Sequence, residues 1–572
     1  MKPPSSLALA TPQGGRPLAA RQSRFRSGKL GRRTALLAAA ALAVLAGCAT
    51  PPAPQRPPLK LTVLHTNDHH GRFWPNADGE YGMAARKTAI DRVRAEVAAG
   101  GGHTLLLDGG DINTGVPESS LQDAEPDFIG MNLLGYDAST FGNHEFDKPR
   151  AVLARQRQWA TFAMLSANIY TKAGERFAEP YRIFERGGYR IAVTGLTTPD
   201  TPQLVLPDNV SDLEFRNPAA EAARLLPELH AKADMVIVAT HMGHYPDGKH
   251  GINAPGDVEM ARSLPAGQGF DLIVGGHSHD PVCMLAENVR NEGYVPGEPC
   301  QPDRQNGSWI VQSNLWGKYL GRADFVIDAG QIRLVAYQLI PINLKRRAPD
   351  GSKVTVGPAI PEDPVVRAAL LPFQERGQQA LTRPVGVTVG VFDGDNARVR
   401  QQPTSLGTLL ARVMLEKTGA DLAVMNSGGI RDSLPEGPVS YRDLLKVQPF
   451  ANRLAVVRLT GSELLQWLQV AAKMSKGAGG YPQTAGVQMV IEGTTLKQAR
   501  VQGRLIEPQR EYRLALNHFT ATGGDGYPRL VDHPGYLDTG FVDAEALREY
   551  IAARSPIQAA DFAPQPDDVQ RP

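Results

Sequence analysis

The chain has 572 residues, of which 42% are hydrophobic and 21% are charged, and its formal net charge is +2. This hydrophobic content excludes a wholly disordered chain, and no apolar run reaches the roughly 20 residues that a membrane-spanning helix needs. Because single hydrophobic cores stop growing at roughly 250–300 residues, the length predicts two large domains. Residues 1–47 contain eight Lys or Arg and no acid, so the rest of the chain carries −6. A mildly acidic body argues against binding to nucleic acid.

The N-terminus has the pattern of an export signal. A basic stretch over residues 1–33 precedes twelve apolar residues, Ala35–Ala46, which suit a signal-peptide core and are too few to span a bilayer. Leu45-Ala46-Gly47-Cys48 resembles the bacterial lipobox, so we expect a lipoprotein-type signal peptide over 1–47 and acylation of Cys48. The alternative is an ordinary signal peptide with a cysteine at its cleavage site. Residues 48–59 are Pro-rich and predict an extended tether.

The two remaining cysteines are expected to form a disulfide. Only three Cys occur, and once Cys48 is assigned to lipid, Cys283 and Cys300 remain as a pair that flanks a polar loop. An oxidising compartment would let them join, and closing a loop of this size is worth about 3 kcal/mol. The alternative is two unrelated free thiols. Export and a lipid anchor together predict a periplasmic, membrane-anchored lipoprotein.

Short apolar runs alternate with longer helical segments between residues 60 and 330, which predicts an α/β layered domain. Most of these runs end in residue types that bind metals. The predicted strands are Leu59–Leu64, Thr104–Leu107, Ala138–Phe141, Ile191–Gly195, Met235–Ala239 and Leu272–Val274. Because ligand sites in open α/β sheets lie outside the carboxyl ends of the strands, we expect these ends to converge on one crevice.

Seven side chains at these strand ends form the predicted metal centre. They are Asp68, His70, Asp111, Asn143, His241, His277 and His279. An Asp carboxylate can bridge two cations, so Asp111 is expected to be shared between two sites. Mixed nitrogen and oxygen ligands without a thiolate suit Mn²⁺, Zn²⁺, Fe²⁺ or Co²⁺ better than Ca²⁺. Two such ions about 3.5–4 Å apart can activate water and hold both oxygens of an in-line phosphoryl displacement.

The order Asp-x-His, Gly-Asp, Gly-Asn-His-Glu, His and Gly-His-x-His resembles the calcineurin-like metallophosphoesterase family. The segments GDINTGVPESSLQDAEPDF and THMGHYPDGKHGINAPGDVEMARSLPAG narrow the resemblance to the bacterial periplasmic UDP-sugar hydrolases/5′-nucleotidases, from about residue 60 to 550. It implies a four-layered N-terminal domain, with helices packed on a β-sandwich, and a separate α/β C-terminal domain.

The same resemblance assigns roles within the metal centre. It implies one ion held by Asp68, His70, Asp111 and His279, and a second held by Asp111, Asn143, His241 and His277. It also implies that His144 stabilises the transition state while Asp147 orients the imidazole, which needs a partner to fix its tautomer. His279 departs from a close relative, in which a Gln stands at this position, and the change could alter metal affinity or preference.

The second half predicts a substrate-binding domain. A Pro-flanked, mostly helical segment, Pro361–Arg383, precedes three Gly-rich loops that contain aromatic and charged residues. Predicted helices are Leu409–Leu415 and Ser462–Ala472, and predicted strands are Leu422–Met425, Leu454–Leu459 and Tyr512–Leu516. Two loop Phe rings could stack on a nucleobase, a carboxylate suits ribose hydroxyls, and Arg suits phosphate.

The resemblance assigns these roles to named residues. It implies base stacking by Phe450 and Phe519, polar contacts by Asn452 and Asp525, and phosphate contacts by Arg400 and Arg431. A further Arg of the close relatives aligns near Asn396, so substrate preference could differ. The predicted domains are a signal peptide (1–47), a tether (48–59), a catalytic domain (60–360), a helical linker (361–383), a substrate-binding domain (384–552) and a tail (553–572).

The implied activity is hydrolysis of 5′-nucleotides to nucleoside and phosphate, and of UDP-sugars to UMP and sugar 1-phosphate, for nucleotide salvage outside the cytoplasm. We expect two divalent ions (Mn, Zn or Co), a bridging hydroxide that attacks phosphorus, and closure of two domains around the substrate in a monomer. The alternatives are a 2′,3′-cyclic-nucleotide phosphodiesterase/3′-nucleotidase and a non-catalytic nucleotide-binding lipoprotein.

Overall fold

The computed structural model describes residues 56–205, 207–245, 255–565 and 569–570. The predicted signal peptide, Cys48 and most of the tether lie outside the described residues. Among the helices that the structure describes, none is both long enough and apolar enough to cross a membrane.

The N-terminal half contains two six-stranded sheets packed face to face. In order across the first sheet, the strands are Gln331–Pro341, Tyr319–Asp328, Leu59–Thr66, His103–Asp108, Ala138–Thr140 and Ala163–Leu165. In order across the second, they are Asp303–Gln305, Ser308–Val311, Leu272–Val274, Met235–His241, Tyr189–Thr197 and Tyr181–Arg186. In the first sheet the last four of these strands are parallel, and Tyr319–Asp328 pairs antiparallel with its neighbour on either side. In the second sheet the four central strands are parallel and the strand at each edge is antiparallel.

The central strands of this half are buried on both faces, which explains their continuous apolar runs. Leu61 and Val63 of the first sheet pack against Ile191 and Ile237 of the second, in a core between the sheets. Leu64, the next residue along, points to the other face and packs under the outer helices. The helices that cover the first sheet are Met83–Ala99, Glu125–Leu134 and Arg150–Trp159, and those that cover the second are Pro218–Lys232 and Asp257–Ser263. The predicted four layers are confirmed.

Shorter elements surround this sandwich. The helices are Pro117–Ser120, Thr201–Leu204 and Pro207–Val210, with a 3₁₀ turn at His144–Phe146. The small antiparallel pairs are Ile169–Thr171 with Leu213–Phe215, Met284–Ala286 with Val289–Arg290, and Lys345–Arg347 with Lys353–Thr355.

The segment between the halves contains the helix Pro364–Ala380. Pro364 occupies the first turn, where its missing N–H is not needed, and the Asp363 side chain caps the helix by accepting from the Val366 amide at 2.8 Å. Val366 and Leu370 are buried against the helices of the first half. The first turns of this helix are therefore packed on the N-terminal half, whereas Leu381, just beyond its end, is buried in the core of the C-terminal half.

The C-terminal half is a second α/β unit, as predicted. In order across its central sheet, the strands are Pro482–Ala485, Leu422–Asn426, Glu511–Asn517, Arg453–Thr460 and Tyr536–Val542. Smaller sheets join Gly437–Ser440, Pro384–Val389 and Ile557–Gln558, and join Arg504–Leu505, Thr495–Val501, Val487–Glu492 and Val569–Gln570. Its helices are Asn396–Val399, Ser405–Thr418, Tyr441–Val447, Gly461–Lys473, His518–Ala521 and Asp543–Arg554, with 3₁₀ turns at Ser427–Gly429, Gly524–Gly526 and Ala559–Phe562.

Two apolar cores lie on opposite faces of this central sheet. The helices Ser405–Thr418 and Asp543–Arg554 cover one face, and the helix Gly461–Lys473 covers the other. Within the expected C-terminal tail, the strand Ile557–Gln558 pairs with Pro384–Val389 and the Phe562 ring is buried. This part of the tail therefore belongs to the packed C-terminal half.

Candidate active site

The predicted metal ligands lie at strand ends of both sheets of the sandwich. Asp68, His70, Asp111 and Asn143 follow strands of the first sheet, whereas His241, His277 and His279 end or follow strands of the second. The loops of the two sheets approach one another closely at Gly109 and Gly276. A Cβ on Gly276 would lie only 2.6 Å from the Gly109 carbonyl oxygen, so a larger residue would not fit there. The crevice is thus formed where two packed sheets meet.

The side chains form two groups in which all ligand atoms lie within 4.8 Å of one another. The first group is Asp68, His70, Asp111 and His279, and the second is Asp111, His241 and His277. Asn143 lines a cavity together with Asp111 and His277 of the second group. Asp111 belongs to both groups, so the structure brings the six predicted Asp and His ligands together and places Asn143 beside the second group.

Most of these residues have a left-handed backbone conformation. The φ angles are 51° at Asp68, 51° at His70, 59° at Asp111, 79° at His277 and 61° at His279. Such conformations cost about 1–3 kcal/mol each in non-glycine residues and persist where the surrounding structure enforces them, commonly at functional sites. A glycine is required at position 142, because a Cβ there would overlap the Asp111 carboxylate.

Hydrogen bonds orient the imidazoles toward a common point. His70 Nδ1 donates to the Thr114 carbonyl at 2.8 Å and His241 Nδ1 donates to the Gly109 carbonyl at 2.7 Å, which leaves each Nε2 for a metal. His241 Nε2 lies 3.0 Å from Asp111 Oδ2 without an aligned hydrogen bond, and Asn143 Oδ1 is buried with no partner among the described residues. Buried polar atoms are rarely left unpaired, so this donor set fits divalent cations.

The electrostatics leave most of the ligand atoms unprotonated, and His241 is the exception. Burial lowers the pKa of His241, but Asp111 outweighs it and raises that pKa to about 9, so a cation bound there would displace a proton from this imidazole. Burial raises the pKa of Asp111, but the His241 and His144 imidazoles outweigh it and hold that pKa well below its usual range. Burial, followed by the neighbouring His241, lowers the pKa of His277 to about 3. An ionised carboxylate beside a neutral imidazole is the protonation state that binds a cation.

His144 and Asp147 form a close pair beside this centre. His144 Nδ1 lies 2.6 Å from Asp147 Oδ2, and Nε2 lies 4.0 Å from Asp111 Oδ2. Burial lowers the pKa of His144, but Asp147 and then Asp111 outweigh it and raise that pKa to about 10. The imidazole is therefore protonated, fixed by a carboxylate, and aimed toward the metal ligands, so it can donate to an anionic oxygen.

Glu145 is a site residue that the sequence analysis missed. Its carboxylate accepts hydrogen bonds from the backbone amides of Asp111 (3.0 Å), Ile112 (2.9 Å), Asn113 (3.2 Å) and Gly142 (2.7 Å). The only sequence feature that points to Glu145 is its position at the end of the Gly-Asn-His-Glu motif. It fixes the backbone of the shared ligand Asp111 without being a ligand itself.

The C-terminal half covers this centre. A cavity of about 390 Å³ has Asn143, His144 and His277 on one wall and Arg453 and Asp538 on the other. Gly540 lies directly on the His144 ring, because a Cβ there would overlap Nε2, and His144 is only 3% exposed. In this arrangement Gly540 packs against His144 Nε2, the atom that would face a substrate oxygen.

The predicted substrate residues are only partly brought to the centre. Asn452 lines a second cavity, of about 200 Å³, beside His70. Phe450 and Phe519 are 54% and 43% exposed, and the Arg431 guanidinium lies 5.7 Å from the Phe450 ring centroid.

The remaining predicted substrate residues lie apart from the metal ligands. Asp525 accepts a hydrogen bond from Asn426 at 2.7 Å, and Arg400 is half-buried beside the same loops. Within the described part of the chain, Arg400, Arg431, Phe450, Phe519 and Asp525 line neither cavity at the metal ligands. The side chain of Asn396 lies outside the described part.

The predicted disulfide is confirmed, since Cys283 and Cys300 are bonded. The bridge closes a loop that contains the hairpin Met284–Ala286 and Val289–Arg290. Arg290 pairs with Asp280, which follows the predicted ligand His279.

Two family profiles match the two halves of the chain. The calcineurin-like phosphoesterase profile matches residues 61–281, and the profile for the C-terminal domain of 5′-nucleotidases matches residues 384–532. Protein UshA of Escherichia coli K12 is 53% identical over 513 residues, which cover 88% of this chain and 93% of that protein. A 5′-nucleotidase of Vibrio cholerae is 50% identical over 545 residues, which cover 94% of this chain and 98% of that protein.

The solved NAD nucleotidase of Haemophilus influenzae has the same fold. It superimposes with a TM-score of 0.75 at 20% sequence identity, and the match covers 90% of this chain and 99% of that one. The sequence relatives and both profiles agree on the family to which the two halves belong. The chain is a metal-binding phosphoesterase that belongs to the UshA/5′-nucleotidase family.

Proposed function

We propose that this protein is a metal-dependent hydrolase of nucleoside 5′-monophosphates and of UDP-sugars. It converts the first to nucleoside and phosphate, and the second to UMP and sugar 1-phosphate. The observation that supports this most strongly is the convergence of six Asp and His side chains on two adjoining groups that share Asp111, with Asn143 beside the second group. The similarity to Protein UshA and to a 5′-nucleotidase over most of the chain supports the substrate class.

The donor set fits two divalent cations, and Mn²⁺, Zn²⁺ and Co²⁺ are the ions it favours. Asp68, His70, Asp111 and His279 would hold one, and Asp111, Asn143, His241 and His277 would hold the other. Bound there, the cations supply activation of water at neutral pH and neutralisation of charge on the phosphoryl oxygens.

The residues around the cations bind and stabilise the reacting phosphoryl group. The protonated His144 donates from Nε2 to a phosphoryl oxygen on which negative charge builds in the transition state. Asp147 keeps the ring in position by accepting from Nδ1 at 2.6 Å. Water adds to phosphorus, the bond from phosphorus to the leaving oxygen breaks, and the proton released by water ends on the leaving group or in solvent.

The C-terminal half binds the nucleoside. Phe450 and Phe519 are exposed aromatic rings on loops, and each stacking face on a base contributes about 1–3 kcal/mol. Asn452 and Asp525 provide polar groups for the ribose, and Arg400 and Arg431 provide cations for phosphate. Because Gly540 covers His144, the two halves must move relative to one another before a substrate bound by these residues is hydrolysed.

The reaction takes place outside the cytoplasm in this proposal. The N-terminal signal pattern and Cys48 support export and lipid anchoring in the periplasm, and the Cys283–Cys300 bridge suits an oxidising compartment. Replacement of Cys48 by Ser should release the protein from the membrane fraction of cells. Retention of this variant in the membrane fraction would contradict the anchor.

A substrate panel tests the activity. Metal-loaded protein is incubated with UDP-glucose, AMP or 2′,3′-cyclic AMP, and products are separated by chromatography. The expected products from UDP-glucose are UMP and glucose 1-phosphate, followed by uridine and phosphate as the UMP is consumed. Preferential cleavage of the cyclic nucleotide would instead favour a cyclic phosphodiesterase.

A further inference from the structure

Two buried asparagines of the C-terminal half connect two of the proposed nucleoside-binding residues. Asn426 and Asn517 are 1% and 0% exposed. They end the neighbouring parallel strands Leu422–Asn426 and Glu511–Asn517, and Asn517 Nδ2 donates to Asn426 Oδ1 at 2.7 Å. We call these two side chains the amide pair. Because Asn517 is fully buried, it can act on a ligand only through its neighbours.

The amide pair holds one exposed carboxylate. Asn426 Nδ2 donates to Asp525 Oδ2 at 2.7 Å, whereas Asp525 itself is exposed and has a left-handed backbone with a φ of 56°. Glycines close around the same carboxylate, since a Cβ on Gly428 would lie 2.8 Å from it and a Cβ on Gly479 would lie 2.9 Å from it. The carboxylate is therefore held in place, with one oxygen bound to Asn426 and the other left for a ligand.

The same pair holds the helix that carries Phe519. Asn517 Oδ1 accepts from the Thr520 amide at 2.8 Å and so caps the helix His518–Ala521. The Phe519 ring lies against the loop that follows this helix, because a Cβ on Gly524 would lie 2.5 Å from a ring carbon. One buried side chain thus connects a ring suited to a base with a carboxylate suited to ribose.

The direction of every hydrogen bond in this chain is fixed by its two ends. At one end a backbone N–H can only donate, so Asn517 must turn its oxygen to Thr520 and its NH2 group to Asn426. At the other end an ionised carboxylate can only accept, so Asn426 must turn its NH2 group to Asp525. A side chain at position 517 that cannot donate would therefore turn the Asn426 amide around and set its oxygen against the carboxylate.

We propose that Asn517 is a positioning residue for nucleoside binding, which acts through Asn426 to fix the Asp525 carboxylate for the ribose hydroxyls. The proposal rests on the proposed function, and it assigns part of a preference for ribonucleotides to a buried residue. All three residues belong to the C-terminal half, so their contacts do not depend on how the two halves are arranged.

Asn517→Asp tests this role, because Asp keeps the acceptor that caps the helix and removes the donor to Asn426. We expect KM for AMP to rise about tenfold with kcat within about twofold, since ground-state binding of the ribose is lost. KM for 2′,3′-dideoxy-AMP, which lacks both hydroxyls, should not change. The matched control is Asn132→Ala in the N-terminal half, where Asn132 donates to the Trp159 carbonyl at 2.7 Å and accepts from the Thr161 amide at 2.8 Å. This control should change KM for neither substrate.

A binding measurement gives a readout that is independent of turnover. In calorimetric titrations the wild type should bind adenosine more tightly than 2′,3′-dideoxyadenosine, and Asn517→Asp should bind the two alike. If Asn517→Asp does not fold, Asn517→Ser replaces it, because Ser is also a good helix cap and is too short to reach Asn426. The same loss of preference is expected.

A double-mutant cycle separates positioning of the carboxylate from general support of the fold. Asp525→Ala alone should raise KM for AMP at least as much as Asn517→Asp does. Adding Asn517→Asp to Asp525→Ala should then change KM by no more than about twofold, because the carboxylate that Asn517 positions is already gone. Effects that multiply would overturn the proposal.

The outcomes separate this proposal from the proposed function. Equal increases of KM for AMP and 2′,3′-dideoxy-AMP in Asn517→Asp, or an unchanged preference for adenosine, would overturn the positioning role. A wild type without this preference would also overturn it, since Asp525 would then bind no ribose hydroxyl. Wild-type protein that hydrolyses neither AMP nor UDP-glucose would instead overturn the proposed function, and the adenosine titrations would still test Asn517.

Discussion

Single residues that ligate nothing maintain the geometry of the metal centre. Asp111 must present its carboxylate to two groups from a left-handed backbone, and Glu145 holds that backbone through four amides. The metal ligands could be predicted because each follows an apolar strand in a short motif. The role of Glu145 could not, because its partners are backbone amides that carry no sequence signal.

Replacement of Glu145 by Gln tests this support. The amide nitrogen of the Gln would face two of the four backbone N–H groups that donate to Glu145. Those two hydrogen bonds would be lost, and the N–H groups would face one another without an acceptor. We expect the free energy of unfolding to fall by about 1–3 kcal/mol and metal affinity to fall about 10- to 100-fold. Thermal unfolding and metal titration measure the two effects. The control is Glu436→Gln, because Glu436 is exposed. Equal stability and equal metal affinity of the two variants would contradict the supporting role of Glu145.

Replacement of Asp147 by Asn tests the orientation of His144. The variant removes the charge that favours the protonated imidazole and can stabilise the wrong tautomer. We expect kcat for UMP to fall about 100-fold or more while metal content is unchanged. Steady-state kinetics and elemental analysis of the same sample are the measurements. A kcat within about twofold of the wild type would exclude Asp147 from the mechanism.

At the level of elements, the sequence predicted individual strands better than their arrangement. The runs Met235–Ala239 and Leu272–Val274 are strands because continuous β-branched and aliphatic residues suit burial on both faces. Their assignment to a second sheet, opposite Leu59–Thr66, depends on packing between residues distant in the chain. The loops that follow these strands were correctly predicted to converge on one crevice. They reach it from two packed sheets and not from the edge of a single open sheet.

The disulfide-closed hairpin is expected to stabilise the ligand loop beside it. Arg290 of this hairpin pairs with Asp280, and Asn314 donates to the carbonyl of His279 at 2.8 Å. Replacing Cys283 and Cys300 together by Ser should lower the free energy of unfolding by about 3 kcal/mol, from the loop-closure entropy of the unfolded chain. Chemical denaturation of the two proteins measures this difference. A difference near zero would show that the loop is fixed without the bridge.

At the scale of the whole molecule, the C-terminal half lies over the catalytic groups while its exposed Phe rings are directed elsewhere. Gly540 contacts His144, and Arg453 and Asp538 line the metal cavity. None of these contacts could be predicted, because they join segments about 400 residues apart and involve no motif. The substrate binding that we propose for Phe450 and Phe519 therefore requires a different arrangement of the halves.

Gly540→Ala tests the covered arrangement. The φ of Gly540 is +68°, and an Ala Cβ would overlap His144, so the variant should favour separation of the halves at this contact. We expect an altered radius of gyration in small-angle X-ray scattering and faster deuterium labelling of the backbone amides around His144 and Gly540, measured by mass spectrometry. The matched control is Gly503→Ala, with φ +77° and open space around its Cβ, which incurs the same backbone strain of about 1–2 kcal/mol. Identical scattering and labelling in both variants would contradict the contact in solution.

The most direct measurement is metal reconstitution. Metal-stripped protein is reloaded with Mn²⁺, Zn²⁺, Co²⁺ or nothing, and UDP-glucose and AMP are followed by chromatography, with Asp111→Asn as the control. We predict that the metal-loaded wild type releases UMP and then uridine from UDP-glucose, and adenosine from AMP, while the stripped protein and Asp111→Asn do neither. Hydrolysis that persists without metal, or that no metal restores, would contradict a metal-dependent nucleotide hydrolase.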